Sequence, residues 1–112
     1  MEYDIEIDKF GTKRYYVNNL LHRDDGPAIE YANGNKVWIK NGLCHREDGP
    51  AIEYSKSFKE WYKDGKRHRE DGPAVEYVNG GKAWWLHHNR YGENDDFTNE
   101  SWKRFVKTLI FS

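Results

Sequence analysis

The stretch His-Arg-acid-Asp-Gly-Pro-Ala occurs three times in this chain at a constant step. The copies begin at His22, His45 and His68, a period of 23 residues, and Trp38, Trp61 and Trp84 keep the same period. Asp25, Asp48 and Asp71 complete the repeat signature. A repeat of this size is one supersecondary unit that cannot bury its apolar face alone, so the units must stack into an array. Repetition also bears on function. Residues that recur because the array recurs are turn-formers before they are a catalytic centre.

Each unit reads as strands joined by tight turns. Residues 27–32 alternate, Asn33-Gly34 turns the chain, and residues 35–40 run back. Asn-Gly is a strong hairpin signal because both central residues of a type I′ turn need positive φ. Asn41-Gly42 makes a second turn. The second unit repeats the plan over 50–55, 58–63 and Asp64-Gly65, and the third over 73–78, Asn79-Gly80 and 81–86. Lys56-Ser57 stands where Asn-Gly would, so that hairpin is expected to be looser. A two-residue loop at Asn33-Gly34 pairs Ile29 with Trp38 and Tyr31 with Lys36. Ile29, Tyr31 and Trp38 would then share the core face with Ile52, Tyr54, Trp61, Val75, Tyr77 and Trp84. The opposite face, with Ala28, Glu30, Val37 and Ile39, should be wetter.

The ends depart from the repeat. Tyr3, Ile5 and Ile7 alternate with Asp4, Glu6 and Asp8, the pattern of a half-buried strand. Residues 13–17 form a degenerate half-unit. Tyr91 stands where a fourth histidine is due. From Thr98 a helix is expected, with Asp96 or Thr98 as N-cap. Trp102, Phe105, Val106, Leu109 and Ile110 form its apolar stripe. Caps of this kind close repeat arrays. The chain of 112 residues is thus expected to be one domain. Residues 1–19 are N-terminal strands, 20–86 three repeats, 87–96 a decayed repeat and 97–111 a capping helix. The fold class is mainly β, an antiparallel hairpin array forming a coiled meander sheet. About eight strands make a sheet roughly 35–40 Å wide, and a helix about 10 Å across covers only part of it. The sheet must therefore coil on itself, or a second copy must cover it.

The stretch from Trp61 to Ala74, Trp-Tyr-Lys-Asp-Gly-Lys-Arg-His-Arg-Glu-Asp-Gly-Pro-Ala, resembles the variant class of MORN repeats. The resemblance covers residues 13 to 86. It departs from the usual MORN spacing of Tyr-Xaa-Gly and Gly-Xaa-Gly. Similar arrays occur in bacterial and bacteriophage proteins, some labelled as antitoxin components. The resemblance implies hairpin units, an interaction role and a bacterial host cell.

Composition narrows the function classes. The formal net charge is −1 with both signs interspersed, so no basic stripe invites nucleic acid or an anionic membrane. The single cysteine, Cys44, fits a reducing, cytoplasmic compartment. Residues 1–6 lack the basic start and apolar run of a signal peptide. A mean hydropathy of −1.10 would suit disorder, but 5 Trp, 8 Tyr and 5 Phe supply buried area for a folded chain.

The His-Arg-acid-Asp clusters have ligand types for a divalent metal, yet repeated turns explain them without one. Asp25, Asp48 and Asp71 would fix the corner by accepting backbone N–H bonds, and each arginine would pair with an acid. Adjacent strand residues point to opposite faces, so Cys44-His45 is no local dyad. The carboxylate pairs in the turns flank no cleft. Neither a catalytic residue, a cofactor nor a metal is therefore expected. Ile39, Tyr62 and Trp85 recur once per unit on the wetter face and, with His87 and His88, are the expected partner-binding residues. The expected function is protein–protein interaction, in the form of an inhibitor of a bacterial defence or toxin system where the resemblance is followed. The alternative is a small ligand, a sugar or nucleotide, stacked between Trp and Tyr of adjacent units.

Overall fold

The computed structural model describes residues 2–110 and the side chains of residues 2–109. The side chain of Ile110 and the helix end expected at residue 111 lie outside the described residues. The strands are β1 (Asp4–Ile7), β2 (Lys13–Val17), β3 (Leu20–Leu21), β4 (Ile29–Glu30), β5 (Lys36–Val37), β6 (Ile39–Lys40), β7 (Leu43–Cys44), β8 (Ile52–Tyr54), β9 (Phe58–Glu60), β10 (Tyr62–Lys63), β11 (Lys66–Arg67), β12 (Val75–Tyr77), β13 (Lys82–Leu86) and β14 (Asn89–Glu93). Among the described residues one α-helix, α1 (Asn99–Ile110), follows a short 3-10 turn. All pairings are antiparallel. The main sheet runs β1-β2-β4-β5-β8-β9-β12-β13-β14, with β3 on β2, and the hairpins β6-β7 and β10-β11 stand off it. The fold is a mainly β hairpin array with one C-terminal helix.

Two kinds of turn alternate. Asn41-Gly42 and Asp64-Gly65 close two-residue loops in which both residues have positive φ, +50° and +79° in each case, as a type I′ turn requires. The other turn differs from expectation. Gly34 N donates to Tyr31 O at 3.0 Å, Asn33 Oδ1 accepts from Asn35 N, and only Gly34 has positive φ. The loop is therefore three residues, a turn followed by a left-handed glycine, and Ile29 pairs with Val37, not with Trp38. Ser55–Ser57 keeps the same three-residue spacing between Tyr54 and Phe58.

One residue of slip moves every side chain to the other face, and the expected face assignment is corrected accordingly. Trp38, Trp61 and Trp84 point to the opposite face from their neighbours Val37, Glu60 and Ala83. One face carries an alternating ladder of cross-strand pairs: Lys13 with Glu30, Glu30 with Lys36, Lys36 with Glu53, Glu53 with Lys59, Lys59 with Glu76 and Glu76 with Lys82. Opposite charges stabilise each pair by a few tenths of a kcal/mol. The other face holds Ile29, Val37, Ile52 and Val75. This apolar face coils onto the small hairpins, so that Ala28, Val37 and Ile39 are buried with Leu21, Tyr31, Cys44 and Tyr54 against them.

The helix closes the last unit. Trp84, Leu86, Trp102 and Val106 form a buried cluster with Phe97 and Phe105 against it. Thr98 is the N-cap, its Oγ1 accepting from Ser101 N at 3.1 Å. Asp96 instead accepts from Glu93 N. At the other end β1 is exposed along its whole length, which corrects the expectation of a half-buried strand.

Candidate functional site

The repeated motif is a joint between units. His22 Nδ1 accepts from Asn41 N, His45 Nδ1 from Asp64 N and His68 Nδ1 from His87 N, at 2.9, 3.0 and 3.0 Å. Each ring thus carries its proton on Nε2 when neutral, facing Asp24, Glu47 and Glu70. The histidines bind backbone nineteen residues ahead, which ties one unit to the next.

The arginines form the second part of the joint. Arg46 Nε donates to Asp48 at 3.0 Å, and its Nη1 donates to Pro50 O at 3.1 Å and Glu53 at 2.5 Å. Arg23 and Arg69 repeat these contacts. The guanidinium carbons lie 4.1, 3.8 and 3.9 Å from the ring centroids of Tyr15, Trp38 and Trp61, a cation–π stack. The glycine of Asp-Gly-Pro leaves room for the guanidinium. A Cβ on Gly26, Gly49 or Gly72 would lie 2.7 to 2.9 Å from the arginine Cζ. The motif aspartates accept from arginine, not from backbone N–H as expected.

Among the described residues, no group of three or more His, Cys, Asp or Glu could hold a metal ion. Among the described residues, no helix is long and apolar enough to cross a membrane.

The partner-binding candidates separate. Ile39 is only 6% exposed and belongs to the apolar cluster, because the corrected register turns it inward. Tyr62, Trp85 and His88 come together around Arg67. The Arg67 Cζ lies 4.9 Å from the Trp85 ring centroid and 5.9 Å from that of Tyr62. Trp85 and His88 rings are 5.6 Å apart. His87 instead packs its ring 4.3 Å from His68. His87 and His88 occupy a turn at φ +47° and +69°. In two other units that second position is glycine, so His88 carries backbone strain of about 1 kcal/mol or more.

Two members of this cluster were missed. Glu60 is 9% exposed. It accepts from Tyr62 Oη at 3.1 Å and meets Arg67 Nη2 at 3.3 Å. Burial, and then the Glu60 carboxylate beside it, push the Tyr62 phenol up to about 12. Burial and Glu60 also raise the Cys44 thiol above its ordinary value, so it is a poor nucleophile. The signal for the missed pair was the repeat column. Glu60 stands where other units have Val37 and Ala83. Arg67 stands where they have Leu21 and Cys44, a change that resembles tolerance until Glu60 is set against it. Arg90 takes that column again in the last hairpin, where it pairs with Glu93 at 3.7 Å near the surface.

Compared with known proteins, the chain matches no family model, no curated protein and no solved structure.

Proposed function

We propose that this chain is a non-enzymatic protein-interaction module that binds another protein through Tyr62, Arg67, Trp85 and His88. The observation that carries this is a local break in the repeat. At one joint, apolar columns give way to a buried carboxylate and a half-open guanidinium held between aromatic rings. Burying an ion pair stabilises a fold less than apolar packing of the same volume does, so packing alone gives no reason for the exchange. Arg, Tyr and Trp are the residues in which binding energy concentrates at protein interfaces. Inhibition of a bacterial defence or toxin system in the cytoplasm is the form this binding takes if the resemblance to variant MORN repeats holds.

The test replaces the cluster with apolar residues that the same columns carry elsewhere, Glu60→Val, Tyr62→Ile and Arg67→Leu together. The triple variant should melt at or above the temperature of the parent and lose the partner captured by the parent from a bacterial lysate. A variant that is clearly less stable yet retains the partner would make the cluster structural and end the proposal. Loss of a bound sugar or nucleotide, with no protein lost, would favour a small-ligand site.

A further inference from the structure

The outer edge of β1 is the open side of the sheet at the N-terminal end, and among the described residues nothing pairs with it. Ile5 pairs with Tyr15 and Ile7 with Lys13, so both isoleucines lie on the charge-ladder face. They are 52% and 66% exposed, with Phe10 at 73% just beyond. The alternate residues, Asp4 and Glu6, lie on the other face with Asp8 following. Arg14 is shared between Glu6 at 3.2 Å and Asp8 at 3.0 Å, which leaves Glu2 and Asp4 without an ion-pair partner among the described residues. The pattern is an apolar row and an acidic row on one edge strand.

A second copy is a poor occupant. A symmetric antiparallel pairing of β1 with itself that sets isoleucine against isoleucine also sets Glu6 against Glu6, Asp4 or Asp8. Like charges directly opposite destabilise a strand pair, and acids on an edge are a known guard against such self-pairing. The same acids attract a strand of opposite charge. We propose that β1 receives an extended segment of another protein by strand addition. That segment places apolar residues beside Ile5 and Ile7 and lysine or arginine opposite Asp4 and Glu6. This surface lies at the other end of the sheet from Trp85 and goes beyond the function proposed above.

The test uses two capped synthetic hexapeptides, one alternating valine with lysine and one alternating valine with glutamate, titrated into the 15N-labelled full chain. The lysine peptide should shift the amide signals of residues 4–7, slow their exchange with solvent and bind at least tenfold more tightly than the glutamate peptide. Glu2→Lys with Asp4→Lys should reverse or abolish that preference. The Glu60→Val, Tyr62→Ile, Arg67→Leu variant should bind the lysine peptide as the parent does, which separates this surface from the other. No binding, equal binding of the two peptides, or shifts centred elsewhere would overturn the proposal. So would dimerisation of the free chain that Ile7→Lys abolishes, since the edge would then belong to a second copy.

Discussion

The two ends of this array are finished in opposite ways. At the C-terminal end Trp84 is 1% exposed and Trp102 is fully buried. In the interior, Trp38 and Trp61 are each covered by an arginine supplied by the next motif. At Trp84 the motif has failed, and position 92, where that arginine is due, is glycine. Phe97 and Trp102 take its place, with ring centroids 5.5 Å from Trp84 in both cases. Trp102 Nε1 also donates to Arg69 O at 2.8 Å. At the N-terminal end Tyr15 has both its arginine, Arg23, and Tyr3 in edge contact at 5.7 Å, but Ile5 and Ile7 beside it stay 52% and 66% exposed. One end is sealed by burial, whereas the other is kept apart by charge.

The largest test of this contrast is at the seal. Trp102→Ala removes a fully buried ring that contacts Trp84, Tyr91, Phe97 and Phe105, and should cost about 3–5 kcal/mol. Truncation after Asp96 should go further and give an unfolded or aggregating chain. Thermal melting and light scattering are the measurements. A truncated chain that stays monomeric and equally stable would show that the helix is not a seal.

The interior joint comes next. Gly49→Ala forces a Cβ to within 2.9 Å of a guanidinium that three hydrogen bonds hold in place, and should cost about 1–3 kcal/mol. The cause is checkable by a double-mutant cycle. In an Arg46→Ala background the same substitution should cost much less, because the clash is gone. Additive losses would mean that Gly49 serves the backbone and not the arginine. His45→Ala should cost about 1 kcal/mol, since it leaves Asp64 N–H without its acceptor. An unchanged melting temperature with loss of partner binding would instead make the histidine part of a site.

The array and its C-terminal helix were legible because stacking and amphipathic packing demand periodicity, and periodicity survives in one dimension. The face assignment was not. Asn33-Gly34 and Asn41-Gly42 are the same dipeptide, yet one sits in a three-residue loop and the other in a two-residue loop. What separates them is tertiary. Asn41 N and Gly42 N are claimed by His22 Nδ1 and Leu21 O of the preceding unit, whereas Gly34 bonds only within its own turn. With the wrong loop length, Trp38 took the place of Val37 and Ile39 was placed outside. Glu60 and Arg67 were hidden for a related reason. Each looks like an ordinary surface charge until the register places Glu60 among the buried positions of the apolar face.

A smaller effect is expected at the last joint. Burial and then the neighbouring His87 lower the His68 pKa from its ordinary value, although Glu70 at 3.6 Å opposes this and Lys63 adds a distant positive charge. The unfolded chain therefore binds this proton more readily than the folded one. The stability tied to a neutral His68 is complete above the unfolded pKa of about 6.5 and is lost as pH falls through the lowered folded value. Protonation would also place a donor at Nδ1 against the His87 N–H. His87→Asn, which copies Asn41 and keeps the backbone bond, should reduce the fall in melting temperature between about pH 7.5 and 5. An identical pH profile in the variant would show that His87 does not set it.

The smallest expected effect is at the open edge. Ile7→Thr keeps a β-branched side chain on a strand residue that is 66% exposed. It removes little apolar area from cover, so stability should change by less than about 0.5 kcal/mol. The comparison with Val75→Thr is the useful one. Val75 is 3% exposed on the apolar face, between Glu60 and Ala83. Placing a hydroxyl there should cost about 1–3 kcal/mol unless it finds a partner. If denaturant titration gave the two substitutions similar losses, Ile7 would be covered in the isolated chain. The edge would then be occupied by the chain itself or its copy, and the asymmetry between the two ends would disappear.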